Sequence, residues 1–592
     1  MQAVRFTEEL RRISALPRRL PVCPPGLVEQ LTEVLRAPGG TMTLRPTQAL
    51  ALHDIGIYGG AFCALDVGEG KTIISMLAGW VLGAKRPLLI LPATLMEKTL
   101  RDRDELAKHW LISTNLRLVS YEILGRVQSE DYLSTYEPDL IIADESQKLK
   151  NRRAAVTRRV ARWMRKAPET KFVAETGSIM NKSLLDFAHV LRWCLKDGAP
   201  VPRTSEETVE WASAIDEDMP QGNELARLEP GALLSLCTAD ELGLDPVSAA
   251  RRGFRRRLNE TPGVIATVAA GASSVGMSAE KVDAAIKVRA ITYEMTHATD
   301  RAFQKLRAEW KSPADEWPLT GGAEVWADAK ELALGLTYTW NPRPPDAWLE
   351  PRRDWGSFVR EVISSSRTLD SELHVAQAIV SGKIDDGGKL ARWMAVRDTF
   401  VPNPVPVWFD ETVLKLCATW AHAAPGIVWT EHSHFAERLS REAGLAYYGA
   451  KGLDAAGRFI NDAPPGRSVI ASSDANREGR NLQGLWNRNL ITSPAEGSGW
   501  WNQLIGRTHR PGQKASEVVV DVLLGCAEHA NAMRKALAGA GAVRDTTGAP
   551  NKLLSATFDW PDDFTIASFP GPRWREMKPE RFDAYERQKW RR

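Results

Sequence analysis

CALDVGEGKTIISML (Cys63–Leu77) decides how this chain is read. A short apolar run passes into a glycine-containing turn, and an apolar helical pattern follows. Strand, turn and helix in that order can cradle phosphate. Gly68 and Gly70 let successive backbone N–H groups turn toward an anion, and the first helical turn adds the positive end of its dipole. Lys71 can then reach the outer phosphates, and the Thr72 hydroxyl can ligand Mg²⁺. The strict pattern G-x-x-x-x-G-K-[ST] is not met, because its first glycine falls on Leu65. A tight turn followed by an exposed lysine fits the same residues, so the stretch by itself leaves both readings open.

Around this loop the pattern is α/β from 41 to 198. RPLLILP (86–92), LRLVSYE (116–122), PDLIIADE (138–145) and TKFVAET (170–176) are continuous apolar runs. Such runs are expected of parallel strands covered on both faces. IISMLAGWVLG (73–83) is expected to be a helix stopping at Gly83. The 138–145 strand ends in Asp144-Glu145, and ligands of open α/β sheets sit at the carboxyl ends of strands. Asp144 is assigned to a metal and Glu145 to a water; an ordinary acidic strand end is the alternative. Gln48, in LRPTQ (44–48), offers a donor and an acceptor suited to an adenine edge, or is a surface glutamine.

The pattern resumes from 406 to 560. GIVWTEHS (426–433), LAYYGA (445–450), RSVIASS (467–473) and EVVVDVLL (517–524) read as strands, and HFAERLSREAG as a helix stopped by Gly444. In WWNQLIGRTHRPGQ (500–513), Gln503, Arg507 and Arg510 fall on one face if the helix continues. Arginine is always charged and forks onto phosphate oxygens, as an arginine finger must. Between 199 and 405 strand signals fade, and a helical, Trp-rich insertion is expected. Residues 1–40 read as a helical leader and 561–592 as a basic tail.

With 592 residues, 43% of them hydrophobic, the chain can bury several cores without disulfides. The six cysteines contain no C-x-x-C pair, which argues for a reducing interior and against a zinc ribbon. His422, His432 and His434 do not match zinc spacing and are read as structural. No secretory signal or bilayer-length apolar run is evident, so a cytoplasmic protein of a bacterium or phage-infected cell is expected, with no membrane partner. A net charge of +3 permits nucleic-acid binding without demonstrating it. The basic cluster RRGFRRRL (251–258), with Arg255, Arg256 and Arg257, is either a solvated face or a set of phosphate contacts. The 21 tryptophans are read first as core anchors, second as a base-stacking platform.

Taken in order, these segments resemble the superfamily-two helicases, and among them the Swi/Snf-like ATPases, some phage-encoded. LRPTQ resembles the glutamine motif and DVGEGKT motif I, which in that family reads A-x-x-x-G-x-G-K-T and fits Ala64–Thr72. LLILPATL resembles motif Ia, and VSYE (119–122) the short motif before the box. DESQKLKN resembles the DEAH-type box and ETGSIMN (175–181) the T-G-T-P motif. DANREGRNLQ resembles motif V and QLIGRTHRPGQ motif VI. The resemblance implies two RecA-like lobes with ATP and Mg²⁺ between them. Gly68, Glu69, Gly70, Lys71, Thr72 and Asp144 would hold nucleotide and metal, with Gln48 on adenine. Glu145, Gln503, Arg507 and Arg510 would act in hydrolysis, while Gln147, Thr176 and Ser178 would link ATP state to DNA. The implied activity is ATP-dependent movement along duplex DNA. The sequence departs from the family at Gln147, Ile179 and Asn476-Arg477. Two rival readings are an RNA-directed ATPase of the same fold and a nucleotide-gated binding module with weak hydrolysis. Stimulation by duplex DNA, single strands and RNA separates them.

Overall fold

The computed structural model describes residues 2–19, 22–65, 69–177, 180, 182–217, 227–267, 282–319, 321–366 and 368–560. The expectations placed on Gly68, Ser178, Ile179 and the 561–592 tail lie outside them. The chain divides into two compact units. One comprises Met1–Lys281, Gly356–Gly387 and Ala538–Leu554, the other Val282–Trp355, Gly388–Leu537 and Ser555–Arg592.

The first unit holds six strands: β1 (Gly60–Ala64), β2 (Pro87–Leu91), β3 (Arg117–Ser120), β4 (Leu140–Ala143), β5 (Lys171–Thr176) and β6 (Val264–Ala266). Their order is β3-β2-β4-β5-β1-β6, and every pair is parallel. Alternating side chains explain the unbroken apolar runs. Phe62, Leu88, Ile90, Ile141 and Phe172 join one core, while Ala61, Cys63, Leu89, Leu91, Ile142 and Val173 join the other. Both faces of the sheet are therefore buried, and a polar residue on either face would need a partner. The strand expected to reach residue 122 stops at Ser120, whose hydroxyl accepts from Ile123 N at 3.1 Å and caps the helix Tyr121–Gly125.

The second unit holds β7 (Ala285–Ile291), the antiparallel pair β8 (Leu336–Trp340) and β9 (Pro404–Trp408), and then β10 (Ile427–Thr430), β11 (Ala446–Tyr448), β12 (Val469–Ser472), β13 (Arg488–Ile491), β14 (Glu517–Leu523) and β15 (Thr557–Asp559). Seven of them form a parallel sheet in the order β11-β12-β10-β13-β14-β7-β15. The protein is thus α/β with two parallel sheets.

The span read as a helical insertion requires correction, since β6 completes the first sheet and β7 lies inside the second. AIKVRAI alternates in a way that could have been recognised: Ile286 and Val288 are buried, while Arg289 on the other face pairs with Asp521 of β14 at 2.7 Å. The rest of that span is largely helical. Three of its tryptophans pack on each other, with Trp348 edge-on to Trp340, Trp393 and Phe400, and Arg352 over the Trp340 and Trp348 rings. Among the described residues no helix is long and apolar enough to cross a membrane.

Candidate functional site

The helix expected over 73–83 runs instead from Lys71 to Val81, beginning directly after the glycine turn. Gly70 has φ +76°, a left-handed conformation that only glycine adopts without cost. Its carbonyl accepts from Gln48 Nε2 at 3.2 Å, while Gln48 Oε1 accepts from Arg45 N at 2.8 Å. Gln48 is only 2% exposed. Its amide therefore ties the helix Pro46–Tyr58 to the glycine turn, which overturns the alternative of a surface glutamine. Lys71 Nζ donates to Leu65 O at 2.8 Å, and a side chain at Gly177 would lie 3.9 Å from that Nζ. The loop and the segment after β5 thus lie together. Glu69 is buried and Thr72 half-buried beside this turn.

At the end of β4, Asp144 Oδ1 accepts from Glu145 N at 2.9 Å, and Tyr121 donates its hydroxyl proton to Asp144 O at 2.7 Å. Glu145 itself has φ +52°, a strained conformation for a residue with a Cβ. Its carboxylate accepts from Gln147 Nε2 at 2.7 Å, and Gln147 Oε1 accepts from Thr176 Oγ1 at 2.7 Å. A hydrogen-bonded line thus runs from the carboxylate after β4 through Gln147 to the end of β5. A glutamine can do this because one end donates while the other accepts.

The site crowds negative charge. Burial, and then the neighbouring Glu145, push the Asp144 carboxyl up to about 7, with Lys71 opposing. Glu175 on β5 is fully buried, and burial and then Asp144 hold its carboxyl well above the usual range. It accepts from Ser75 Oγ, on the helix that follows the loop, at 2.5 Å. Carboxylate and hydroxyl oxygens such as those of Asp144 and Thr72 are hard donors of the kind Mg²⁺ takes, and a cation's charge would offset the crowding. Tyr121, Ser75 and Glu175 were not singled out in the sequence. A glutamate within the otherwise apolar KFVAET strand was the available signal.

Gln503, Arg507 and Arg510 lie in the second unit. The helix Ser498–Thr508 ends before Arg510, so the two arginines do not share a helix face as expected. They converge by another route, since Arg507 Nη1 and Arg510 Nη1 both donate to Arg480 O, at 2.9 and 3.2 Å. Arg480 belongs to the polar loop after β12. Gln503 holds Arg507 through its backbone carbonyl, at 2.9 Å from Nε, rather than through its side chain. Asn476, one of the atypical positions, is fully buried and donates to Tyr448 O at 2.9 Å and Ser472 O at 3.1 Å. It fastens this loop to β11 and β12.

The basic cluster also needs correction. Arg257 is 1% exposed, and its guanidinium donates to Leu16 O at 3.0 Å and Pro17 O at 2.7 Å. Arg256 pairs with Glu241 at 3.1 Å and donates to Leu236 O. Both hold the fold and present little charge outward. Arg255 is half-buried and donates no hydrogen bond to a described residue.

No protein-family model matches the chain, and no curated protein matches it in sequence.

Proposed function

We propose that this protein is an ATP-dependent DNA translocase of the Swi/Snf-like type, built on two RecA-like lobes. The observation that carries the proposal is the line Glu145–Gln147–Thr176 beside Lys71. It supports a site in which the carboxylate that orients water is tied to the strand end expected to report on DNA. In this reading Lys71 binds the outer phosphates and Glu145 orients and deprotonates the attacking water. Thr72 and Asp144 would hold Mg²⁺, which would supply neutralising charge on the phosphates. Arg507 and Arg510 are assigned to the charge that develops on the γ-phosphate, because fixed guanidinium forks suit that task. Gln147 takes the place of the family's histidine as the coupling residue, and its amide makes both contacts required.

The test is ATP turnover with duplex DNA, single strands and RNA at several salt concentrations. Duplex DNA should stimulate most, with Lys71→Ala and Glu145→Gln near background. Equal turnover in wild type and both variants refutes the proposal. Preferential stimulation by RNA assigns the substrate to RNA instead.

A further inference from the structure

The helix Ala155–Lys166 in the first unit carries arginines in two different settings. Arg159 and Arg162 share the carboxylate of Asp370, at 3.1 and 2.6 Å. Arg158 and Arg165 instead line a cavity of ≈ 350 Å³, together with Arg152, Arg192, His189 and Ser366. No carboxylate lines it. Among the described residues none of these four arginines forms an ion pair.

The guanidinium groups are held by neutral partners. Arg192 Nη1 donates to Pro202 O at 2.6 Å and Thr208 Oγ1 at 3.1 Å, and Arg152 Nη2 to Ser205 Oγ at 2.9 Å. Arg158 donates to the carbonyls of Ile363 and Leu369. These contacts fix side chains that would otherwise be mobile, and the nearest carboxylates, Glu206 for Arg152, Asp370 for Arg158 and Glu9 for Arg192, offset their charge only in part and without pairing directly. Burial, and then the neighbouring Arg152, bring the Arg192 guanidinium down to about 10. Like charges gathered in a partly desolvated hollow repel, and a bound anion removes that cost. Pre-oriented forks also lose little entropy on binding.

We propose that this cavity is a binding site for a small phosphate-bearing anion, of the size of pyrophosphate or a nucleoside monophosphate. The volume lies at the small end of ligand pockets, and guanidinium forks match phosphate oxygens two at a time. A recessed hollow between two helices favours a compact ligand over the convex backbone of a duplex. The site uses none of the residues around Lys71, and it does not depend on the proposed ATPase activity. It does adjoin the box segment, because His189 Nε2 lies 2.9 Å from Leu149 O, at the end of the turn that begins at Ser146. An occupant would therefore press on the segment that carries Gln147.

The test is isothermal titration of pyrophosphate into the full chain carrying Lys71→Ala, which disables phosphate binding at the loop. Saturable one-to-one binding is expected, with adenosine monophosphate competing. Combining Arg152→Gln with Arg165→Gln should weaken it at least tenfold. Both side chains reach the surface, and the melting curve should match that of the parent. Absence of binding in the Lys71→Ala chain, or binding unchanged by the double substitution, overturns the proposal. Competition by a short duplex or single strand at equal phosphate concentration reassigns the cavity to nucleic acid and overturns the small-ligand assignment. Turnover by the wild-type chain bears only on the ATPase, so either proposal can fail alone.

Discussion

Replacing Gly70 with alanine probes the turn on which the first site is built. A Cβ there would lie 2.1 Å from Gln48 Nε2, far inside contact distance. Gln48 cannot simply swing away, because it is 2% exposed and bonded at both ends, to Gly70 O at 3.2 Å and from Arg45 N at 2.8 Å. Two costs add. The left-handed conformation at φ +76° costs a residue with a Cβ about 1–2 kcal/mol. Displacing Gln48 loses two hydrogen bonds, about 1 kcal/mol each. Gly70→Ala should therefore cost about 3–4 kcal/mol locally, against about 1–2 kcal/mol in a Gln48→Ala background where the clash is gone. The assay is native-state hydrogen exchange on peptides spanning Gly60–Val81, since a two-unit chain does not license a single unfolding free energy. The cycle should show a coupling of about 2 kcal/mol between the two positions. Equal costs in both backgrounds would refute the view that Gln48 holds the turn.

Three further outcomes follow from the same geometry. Gln147→Leu removes both bonds of the line, to Glu145 and from Thr176, and should lower DNA-stimulated turnover at least tenfold, since about 1.4 kcal/mol of their combined worth already gives that factor, while nucleotide affinity measured by fluorescence titration stays near wild type. Asp370→Asn leaves the buried Arg159 without its partner at 3.1 Å, and should cost about 3–5 kcal/mol in exchange protection around Ala155–Lys166, with little dependence on salt. Burial raises Asp216 from 3.8 to about 7, so the folded chain keeps a proton that the unfolded chain releases. Its contribution should therefore be most favourable below pH 4 and decline as pH rises to about 7, by on the order of 4 kcal/mol. Asp216→Asn should flatten the stability profile over that window in pH-resolved exchange measurements, and an unchanged slope counts against the assignment.

Much of the local structure was legible because it depends on neighbours in sequence. The apolar runs of β2, β4, β5, β10, β12 and β14 announced buried parallel strands, and the glycine turn before Lys71 announced a helix start. Period and turn chemistry act over a few residues, so they can be read directly. The 199–405 span was misread because β6 has only three residues, and because the alternation of β7 was lost among helical signals.

The sequence by itself determined the longer apolar strands and the helix after the glycine turn, and which residue types stand near them: Lys71, Thr72, Asp144, Glu145, Thr176. Tertiary structure decided what those and other side chains touch. Gln48 belongs to the turn because a helix 22 residues upstream packs against it. Arg257 supports the backbone of residues more than 200 positions away. Gln147 bridges two strand ends because β4 and β5 are neighbours in the sheet. An arginine or glutamine has the same donors wherever it stands, and only the fold sets whether they meet a carbonyl, a carboxylate or a ligand.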